Sequence, residues 1–263
     1  EPTGARISHV ASRDNAALKL ARRLSRDSLA YRKLGQIWLE GDHLCRAARD
    51  QGVVPAVAVF AASAWQGDAA AWALGPARVV IVPDTLFDDI SALGSPGRMG
   101  FIIDQPEDAG LRPGVASVLL DRVQDAGNVG SILRSAAALG FGQVLALKGS
   151  AALWSPKVLR AGMGAHFGLH LVEGLEPSAL AGLELPVIAT SSHRGQALHT
   201  CALPWPCVWA FGHEGQGLAD VVAQQARLWC RIGQPGGQES LNVAAAAAIC
   251  LHASAVGRPA GRA

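Results

Sequence analysis

The stretch "GQESLNVAAAAAIC", residues 237–250, joins a polar cluster directly to an apolar helix. Its five consecutive alanines, flanked by Val243 and Ile249, predict a buried helix. Glu239, Ser240 and Asn242 stand directly before that helix, although polar side chains gain nothing from a core. The polar cluster therefore indicates a site at the start of the helix, and the helix anchors that site.

Short apolar runs alternate with helix-like segments from residue 115 onward. The runs are apolar throughout, which is typical of strands buried on both faces of a parallel sheet. Between the first two runs, segment 128–139 has one apolar helical face, with Asn128 placed to cap its start and Gly140 after its end. This order predicts an α/β fold with helices on both sides of the sheet. The runs are "VASVLLD" (115–121), "QVLALK" (143–148), "FGLHLV" (167–172), "PVIAT" (186–190), "PCVWAF" (206–211) and "LWCRI" (228–232).

Residues 1–97 have the pattern of a separate, small α/β domain. "QIWLE" (36–40), "PAVAVF" (55–60) and "RVVIV" (78–82) predict strands with helices between them. The stretches "LGSPGRMG" (93–100) and "DQPEDAGLRPG" (104–114) supply turn and linker residues. We therefore predict a first domain over residues 1–97 and a larger α/β domain over residues 98–263.

The composition excludes several classes of protein. Half of the 263 residues are hydrophobic and 17% are charged, which indicates a globular protein, and a net charge of +2 identifies no partner. Five cysteines without a C-x-x-C pair fit a reducing compartment and argue against a disulfide scaffold or a zinc site. His166 and His170 have the spacing of metal ligands but no third ligand is apparent, so no metal is expected. With no membrane-length apolar run and no signal-peptide pattern, we expect a cytoplasmic protein without a membrane partner.

Three polar, glycine-rich stretches each follow a predicted strand of the larger domain. They are "RVQDAGNVGSILRSAAALG" (122–140), "GHEGQGL" (212–218) and "GQPGGQESLN" (233–242). Ligands of open parallel sheets bind at the carboxyl ends of the strands, so the three stretches predict one common site. Gly212, Gly215 and Gly217 suggest that the backbone approaches a ligand closely there.

The first predicted helix carries a cationic stripe, Lys19, Arg22, Arg23 and Arg26, opposite its apolar face. One interpretation is a solvated helix face. The other is a surface that contacts a phosphate backbone, because like charges at this spacing repel unless an anion relieves them.

Together, the three stretches resemble the three motifs of the SpoU (TrmH-type) RNA 2′-O-ribose methyltransferases of the SPOUT superfamily. The motifs correspond to "DRVQDAGNVGSILRSAAALG" (121–140), "WAFGHEGQGL" (209–218) and "RIGQPGGQESLNVAAAAAI" (231–249). "WSPKVLRAGMGAHFGL" (154–169) is similar to the segment after motif one, with Gly162 where a serine is usual. The chain from "ISHVASRDNAALKLARRL" (7–24) onward is similar to the ribosomal-protein-L30e-like substrate-binding domain of many members.

The resemblance implies an S-adenosylmethionine-dependent homodimer with a trefoil knot in its C-terminal α/β domain. It implies a catalytic set with Arg134 at its centre, together with Asn128, Glu214, Ser240 and Asn242. The implied cofactor-binding residues are Thr190, Gly212, Gly215, Ile232, Leu241, Asn242 and Ala246. The RNA-binding residues are expected to be Lys19, Arg22, Arg23, Arg26, Arg134 and Arg160. The expected reaction methylates a ribose 2′-hydroxyl of structured RNA, and the L30e-like domain favours 23S ribosomal RNA over transfer RNA.

Two other classes of protein are alternatives to this interpretation. A non-catalytic RNA-binding or ribosome-assembly factor on the same fold would not need the intact polar set. A nicotinamide-dependent dehydrogenase would need a G-x-G-x-x-G after its first strand and an acidic residue about 20 positions later, and the sequence has neither. "AGMGAHFG" (161–168) resembles such a glycine loop only loosely, because its G-x-G-x-x-x-G spacing is one residue too long. Arg134 is a poor general base because a guanidinium has a pKa above ~12, so we expect it to hold the target phosphate, although the family is often drawn with this arginine as the base.

Overall fold

The computed structural model describes residues 4–67, 70–72, 74–75, 77–107, 109–236 and 240–258. Glu239, a member of the polar cluster named above, lies outside the described residues. The chain divides into two compact units. The first unit comprises Glu1–Glu107 with Trp154–Phe167, and the second comprises Asp108–Leu153 with Gly168–Ala263.

Twelve strands and eight α-helices lie within the described ranges. The strands are β1 (Arg6–His9), β2 (Gln36–Glu40), β3 (Val57–Ala61), β4 (Arg78–Val82), β5 (Met99–Asp104), β6 (Ser117–Asp121), β7 (Gln143–Leu147), β8 (His170–Leu175), β9 (Val187–Thr190), β10 (Gln196–Ala197), β11 (Val208–Gly212) and β12 (Ala226–Arg231). The helices are α1 (Ala16–Arg26), α2 (Ala30–Leu34), α3 (Asp42–Asp50), α4 (Asp84–Ile90), α5 (Ala126–Ala138), α6 (Pro156–Gly162), α7 (Asp220–Ala223) and α8 (Val243–Val256).

The first unit is built on a five-stranded mixed sheet of order β1-β4-β3-β5-β2. β1, β4 and β3 are parallel, whereas β5 is antiparallel to both of its neighbours. The Asn15 side chain caps α1 by accepting a hydrogen bond from the backbone N–H of Ala17 (3.0 Å). The buried face of α1 packs against α4, β2 and α6. The unit is a small α/β domain, as the sequence predicted.

The first unit extends beyond the predicted boundary between residues 97 and 98. β5 pairs with β2 and β3, so the stretch from Met99 to Asp104 completes the first sheet and is not part of a linker. The boundary lies at residues 107 and 108 instead. Segment 154–167, which the prediction gave to the second domain, also belongs to the first unit. Its helix α6 packs against α1 and β2.

The second unit contains a seven-stranded sheet of order β10-β12-β9-β11-β6-β7-β8. Every neighbouring pair in this sheet is parallel. The parallel α/β prediction is therefore confirmed, and each of the six apolar runs forms a strand. β8 begins three residues later than its predicted run, because Ala165–Gly168 forms a 3-10 turn. The two-residue edge strand β10 was not predicted.

α8 is the helix that contains the five alanines. Asn242 caps its start, and its buried face packs against α5 and β11. Near the end of α8, the buried Trp209 indole Nε1 donates to the Ser254 hydroxyl (2.8 Å). The opposite face is open, since Ile249 is 42% exposed. The prediction of a buried helix therefore holds for one face only.

None of the helices in the described part of the chain is long and apolar enough to cross a membrane.

Candidate functional site

Four neighbouring parallel strands of the second unit, β12, β9, β11 and β6, end at the same edge of the sheet. Thr190, the last residue of β9, lies in register with Cys230 of β12. Gly212, the last residue of β11, lies in register with Asp121 at the end of β6. Ile232 directly follows β12. Three of the predicted cofactor residues, Thr190, Gly212 and Ile232, therefore lie along one edge.

Hydrogen bonds join the three polar stretches at this edge. The Asn242 side-chain amide donates to Asn128 Oδ1 (2.9 Å), and the Asn128 amide donates in turn to Glu214 Oε1 (3.2 Å). Asn242 Oδ1 accepts from the backbone N–H groups of Ala244 (2.9 Å) and Ala245 (3.2 Å) at the start of α8. One side chain from each stretch therefore takes part in a single network, which we call the Asn–Glu–Asn cluster.

Asn128 does not cap α5, contrary to the prediction. The cap is Asp125, whose Oδ1 accepts the backbone N–H of Asn128 (2.8 Å), and Asn128 is the third residue of the helix. Both residue types are strong N-caps, and the sequence pattern alone did not distinguish them. Because Asp125 satisfies the helix terminus, the Asn128 side chain is available to bridge Glu214 and Asn242.

Glu214 acts as an acceptor for the loop that precedes α5. Its carboxylate accepts the backbone N–H groups of Gln124 (3.4 Å) and Asp125 (3.2 Å) in addition to the Asn128 amide. Burial raises the pKa of Glu214, but these hydrogen bonds and one from its own N–H outweigh the burial and leave the pKa below its ordinary value. The carboxylate is therefore ionised at neutral pH, which suits an anchor of the loop better than a proton donor.

The glycines after β11 shape the loop itself. A Cβ on Gly212 would lie 2.3 Å from the carbonyl carbon of Gly217 and 2.4 Å from the backbone nitrogen of Leu218. Gly217 adopts a φ of 68°, which favours glycine. A close approach at Gly212 thus takes place between two parts of the same loop, and the contact of these glycines with a ligand stays a prediction. Gly215 is exposed, with its N–H donating to His213 Nδ1 (3.0 Å).

Asp121 and Arg122 contribute to the site but were not predicted. Asp121 is 2% exposed and its Oδ2 accepts the backbone N–H of Ala219 (2.6 Å). Arg122 donates to Asp121 Oδ1 (2.9 Å), to Gln216 Oε1 (3.0 Å) and to the Gly217 carbonyl (3.2 Å). The Asp121 carboxylate raises the pKa of Arg122. Together the pair ties the end of β6 to the loop after β11, and an acidic residue ending a buried strand was the available sequence signal.

Arg134 lies on the exposed side of α5 and makes no hydrogen bond or ion pair with the described residues. It follows Asn128 by six positions along the helix, which places the two about 120° apart around the axis. The structure therefore does not include Arg134 in the Asn–Glu–Asn cluster. Ser240 is exposed and likewise lies outside this network.

The edge of the sheet fits a ligand with an apolar ring and hydrogen-bond donors. Leu241 leaves a large apolar side chain 40% exposed beside the cluster, and Ile232 and Ala246 are half-buried. Two residues after Ile232, Gln234 Oε1 is buried and has no donor among the described residues. A ring packed on the aliphatic side chains, with an amino or hydroxyl group near Gln234, would satisfy both features.

The cationic stripe of the first unit is largely paired with acidic residues. Arg22 lies 2.7 Å from Asp89, with its side chain only 17% exposed, and Arg26 lies 3.9 Å from the same carboxylate. Arg13 also binds Asp89, and this hydrogen bond is the main reason why the pKa of Asp89 lies below its usual value. Lys19 contacts Asp14 (2.9 Å), and Arg23 is exposed. Arg22 is therefore an internal partner of Asp89, and the stripe is not uniformly available to a ligand.

The segment around α6 lies in the first unit. Arg160 is exposed there and lines a cavity of ≈ 220 Å³ together with Trp38 and His43. A Cβ on Gly162 would lie 2.6 Å from the ring of the buried His166, so the histidine occupies the space that a serine at this position would need. Within the described ranges, no group of three or more histidine, cysteine, aspartate or glutamate side chains could hold a metal ion.

The second unit belongs to the class of parallel α/β domains whose polar loops meet in a crevice at the carboxyl ends of the strands. The family model of the SpoU rRNA Methylase family matches residues 116–252. The chain belongs to this family, as the three sequence motifs predicted.

Known proteins extend the likeness beyond the residues that the family model matches. The mitochondrial rRNA methyltransferase 3 of Mus musculus is 36% identical over 152 residues, 55% of this chain and 36% of the relative. This chain thus spans about a third of that relative's length. The 23S rRNA (guanosine(2553)-2′-O)-methyltransferase RlmP of Bacillus subtilis is 26% identical and covers 84% of this chain and 88% of its own. A crystal structure of an AdoMet-bound rRNA methyltransferase from Sinorhizobium meliloti has a TM-score of 0.82 and 26% identity, covering 94% of this chain and 97% of its own.

Proposed function

We propose that this protein is an S-adenosylmethionine-dependent RNA methyltransferase that transfers a methyl group to a ribose 2′-hydroxyl, with 23S ribosomal RNA as its substrate. The observation that carries the proposal is the Asn–Glu–Asn cluster, in which all three family motifs meet through side-chain hydrogen bonds. The name of the Bacillus relative, a 23S rRNA 2′-O-methyltransferase, supports both the reaction and the substrate. The AdoMet-bound Sinorhizobium structure supports the cofactor.

The edge formed by β12, β9 and β11 would hold the cofactor. Ile232 and Leu241 would pack on the adenine ring, and the backbone at Thr190 and Gly212 would meet its polar edge. The remaining contacts would come from Gly215, Asn242 and Ala246. Bound S-adenosylmethionine supplies an already activated methyl group on a sulfonium sulfur. The protein therefore mainly has to orient the 2′-hydroxyl and manage its proton.

Arg134 is the residue that we assign to the reacting ribose-phosphate. It is exposed on α5 without a partner among the described residues, so its guanidinium is available to a phosphate. It would hold the target phosphate and stabilise the negative charge that develops on the attacking oxygen. Asn128, Glu214 and Asn242 would keep the three loops in place, and Ser240 would lie at the mouth of the crevice.

The test of these roles is steady-state kinetics with ribosomal RNA. Arg134→Ala should lower turnover by orders of magnitude and leave cofactor affinity almost unchanged. Arg134→Lys, which keeps the charge but loses the bidentate geometry, should recover only part of the rate. Turnover near that of the unaltered protein for Arg134→Ala would reduce this residue to a surface arginine.

The cofactor and the substrate are tested independently of each other. Calorimetric titration should show binding of S-adenosylmethionine and no binding of NAD; the reverse result would favour the dehydrogenase. Mapping of 2′-O-methyl sites in RNA from cells with and without the gene should reveal one missing methyl group in 23S ribosomal RNA. A missing site in transfer RNA would identify the alternative substrate, and no missing site would favour the non-catalytic RNA-binding factor.

The first unit would serve as the L30e-like RNA-binding domain, through Lys19, Arg23 and Arg26 of the stripe and Arg160. Reversing the charges of Lys19 and Arg23 in the full chain should lower the salt dependence of RNA binding by about two phosphate contacts. Arg22→Glu is unsuitable for this purpose because it would break the contact with Asp89. An unchanged salt dependence of RNA binding would show that the stripe is only a solvated helix face.

We also propose a cytoplasmic homodimer with a trefoil knot in the second unit. The open face of α8 supports the dimer, since Ile249 (42% exposed) and Val256 (68% exposed) lie seven residues apart on one side of the helix. The packing of α8, the last helix, against α5, the first helix of the unit, is compatible with a chain that returns through its own fold. Sedimentation of Ile249→Glu, compared with the unaltered protein, tests the dimer: we expect a monomer.

A further inference from the structure

Two cysteines of the second unit lie side by side at the cofactor edge. Cys201 Sγ and Cys230 Sγ are 3.3 Å apart, although 29 positions separate them in the chain. Disulfide formation requires a sulfur–sulfur distance of about 2.05 Å, so an approach of little more than about 1 Å would suffice. The other three cysteines, Cys45, Cys207 and Cys250, are buried.

We propose that Cys201 and Cys230 are a redox-modifiable pair, which peroxide converts into an intramolecular disulfide and a thiol reductant restores. The odd cysteine count and the absence of a C-x-x-C motif argued against a disulfide scaffold. That argument concerns permanent cross-links, whereas this pair is brought together by the fold and needs no sequence spacing.

The surroundings of the two sulfurs indicate which cysteine is oxidised first. Cys201 is half-buried and reachable from solvent, whereas Cys230 is buried within β12. Burial, and secondarily the contact with Cys201, raises the pKa of Cys230 to about 12, so this residue remains a thiol at neutral pH. The first attack on an oxidant therefore comes from Cys201, the accessible sulfur.

The reaction balances with peroxide as the oxidant. The Cys201 thiolate attacks one peroxide oxygen, the O–O bond breaks, and the leaving hydroxide takes a proton to become water. Cys201 is now a sulfenic acid. The Cys230 sulfur attacks the Cys201 sulfur, the S–O bond breaks, and the Cys230 proton leaves with the departing hydroxide as a second water. Two thiols and one peroxide thus give one disulfide and two waters.

The disulfide would link the edge segment 191–201 to β12. Backbone pairing of Gln196 with Cys230 and close packing already hold this segment on the strand. A Cβ on Gly195 would lie 2.4 Å from the Trp229 carbonyl, and the Arg194 guanidinium stacks 3.4 Å above the Trp229 ring. Segment 191–201 begins directly after Thr190, and β12 leads into Ile232. Oxidation would therefore fix one side of the proposed cofactor pocket.

The consequence for the cofactor rests on the proposed function. Closing the sulfur–sulfur gap would pull the edge segment 191–201, which begins directly after Thr190, towards β12 and hold it there. The oxidised protein should therefore bind S-adenosylmethionine at least about threefold more weakly than the reduced protein, because the pocket side at Thr190 is shifted. The formation of the disulfide itself is measured without any cofactor. A protein that never binds S-adenosylmethionine would overturn the proposed function and leave the disulfide measurement unaffected.

The experiment treats the full chain with a slight excess of hydrogen peroxide and follows it by mass spectrometry of peptides. We expect one cross-linked peptide pair containing Cys201 and Cys230, a loss of two titratable thiols after unfolding, and full recovery with dithiothreitol. Cys201→Ser and Cys230→Ala should each abolish the cross-link. Cys45→Ala, which removes a buried thiol from the first unit, should leave both the cross-link and its effect on cofactor affinity intact.

Each result decides the proposal. A cross-link in another cysteine pair, or irreversible oxidation of Cys201 with Cys230 still reduced, would overturn it. Equal cofactor affinity of the oxidised and reduced proteins, with the cross-link confirmed, would overturn the regulatory consequence. Calorimetry on the Cys201→Ser variant before and after peroxide separates damage at other residues from the effect of the disulfide.

Discussion

Replacing Asn242 by alanine removes two functions of one side chain. Asn242 Oδ1 caps α8 through Ala244 and Ala245, and its amide donates to Asn128. Loss of an N-cap costs about 1 kcal/mol, and loss of a net hydrogen bond costs about 0.5–1.5 kcal/mol. We therefore expect Asn242→Ala to lower the free energy of unfolding of the second unit by about 2 kcal/mol, or its Tm by about 4–8 °C.

Asn242→Ser separates the two functions. A serine hydroxyl can cap α8, but it is too short to replace the amide that reaches Asn128. The serine variant should therefore recover about half of the lost stability. Differential scanning calorimetry of the full chain, with denaturant unfolding as a second measure, gives both values.

Two outcomes would refute this reasoning. If Asn242→Ala unfolds at the same temperature as the unaltered protein, the cluster contributes nothing to stability. If Asn242→Ser is as unstable as Asn242→Ala, the cap contributes nothing and the loss comes from the bond to Asn128 alone. Cofactor affinity should fall in the alanine variant in either case if the site is as proposed.

Three further predictions concern charged residues. The pKa of Glu214 is lowered in the fold, so its carboxylate stabilises the protein above the ordinary pKa of 4.5, and this stability is lost as the pH falls through the lowered pKa. Glu214→Gln should therefore make the free energy of unfolding depend less on pH when it is measured between pH 6 and 3. The pKa of Asp89 lies below its ordinary value of 3.8, so the ionised side chain stabilises the first unit at neutral pH. Asp89→Asn should therefore be less stable than the unaltered protein at pH 7, and denaturant titrations should give the two proteins similar stability near pH 2. Arg122→Ala removes the hydrogen bonds to Asp121 and should lower the free energy of unfolding by about 1.5–3 kcal/mol. Arg122 has a φ of 60°, which glycine adopts without strain, so Arg122→Gly should lower it by about 1 kcal/mol less than Arg122→Ala does. Equal losses in the two variants would exclude backbone strain at this position.

The sequence predicted the second unit well because its strands are buried on both faces. A run such as "VLLD" before a polar loop has few alternatives to a buried parallel strand, and the motif spacing located the loops at the strand ends. The pairing of Asn128 with Asn242 could not be predicted, because it depends on Asp125 taking over the helix cap. The sequence assigned each asparagine to a polar loop at a strand end, but the bond between them depends on how the two loops fold against each other.

The first unit was harder to predict for a different reason. β5 lies between two stretches rich in glycine and proline, and only its antiparallel pairing with β2 and β3 makes it part of the sheet. The charge pattern of α1 gave no sign of Asp89, which lies 63 positions after Arg26 and neutralises part of the stripe. Long-range partners of this kind have no local signature in a single sequence.

The chain leaves the first unit at residue 107, enters the second unit, and returns to the first unit at residue 154. This path affects the order in which the two units fold during translation. α6 packs against α1 and β2, yet it follows 46 residues that belong to the second unit, Asp108–Leu153. A ribosome adding about 5–20 residues per second needs a few seconds to traverse that interval. During this time the first five strands can pair, but the surface that receives α6 stays uncovered. The nascent chain therefore begins its second sheet before its first unit is closed, and the two units mature together rather than one after the other.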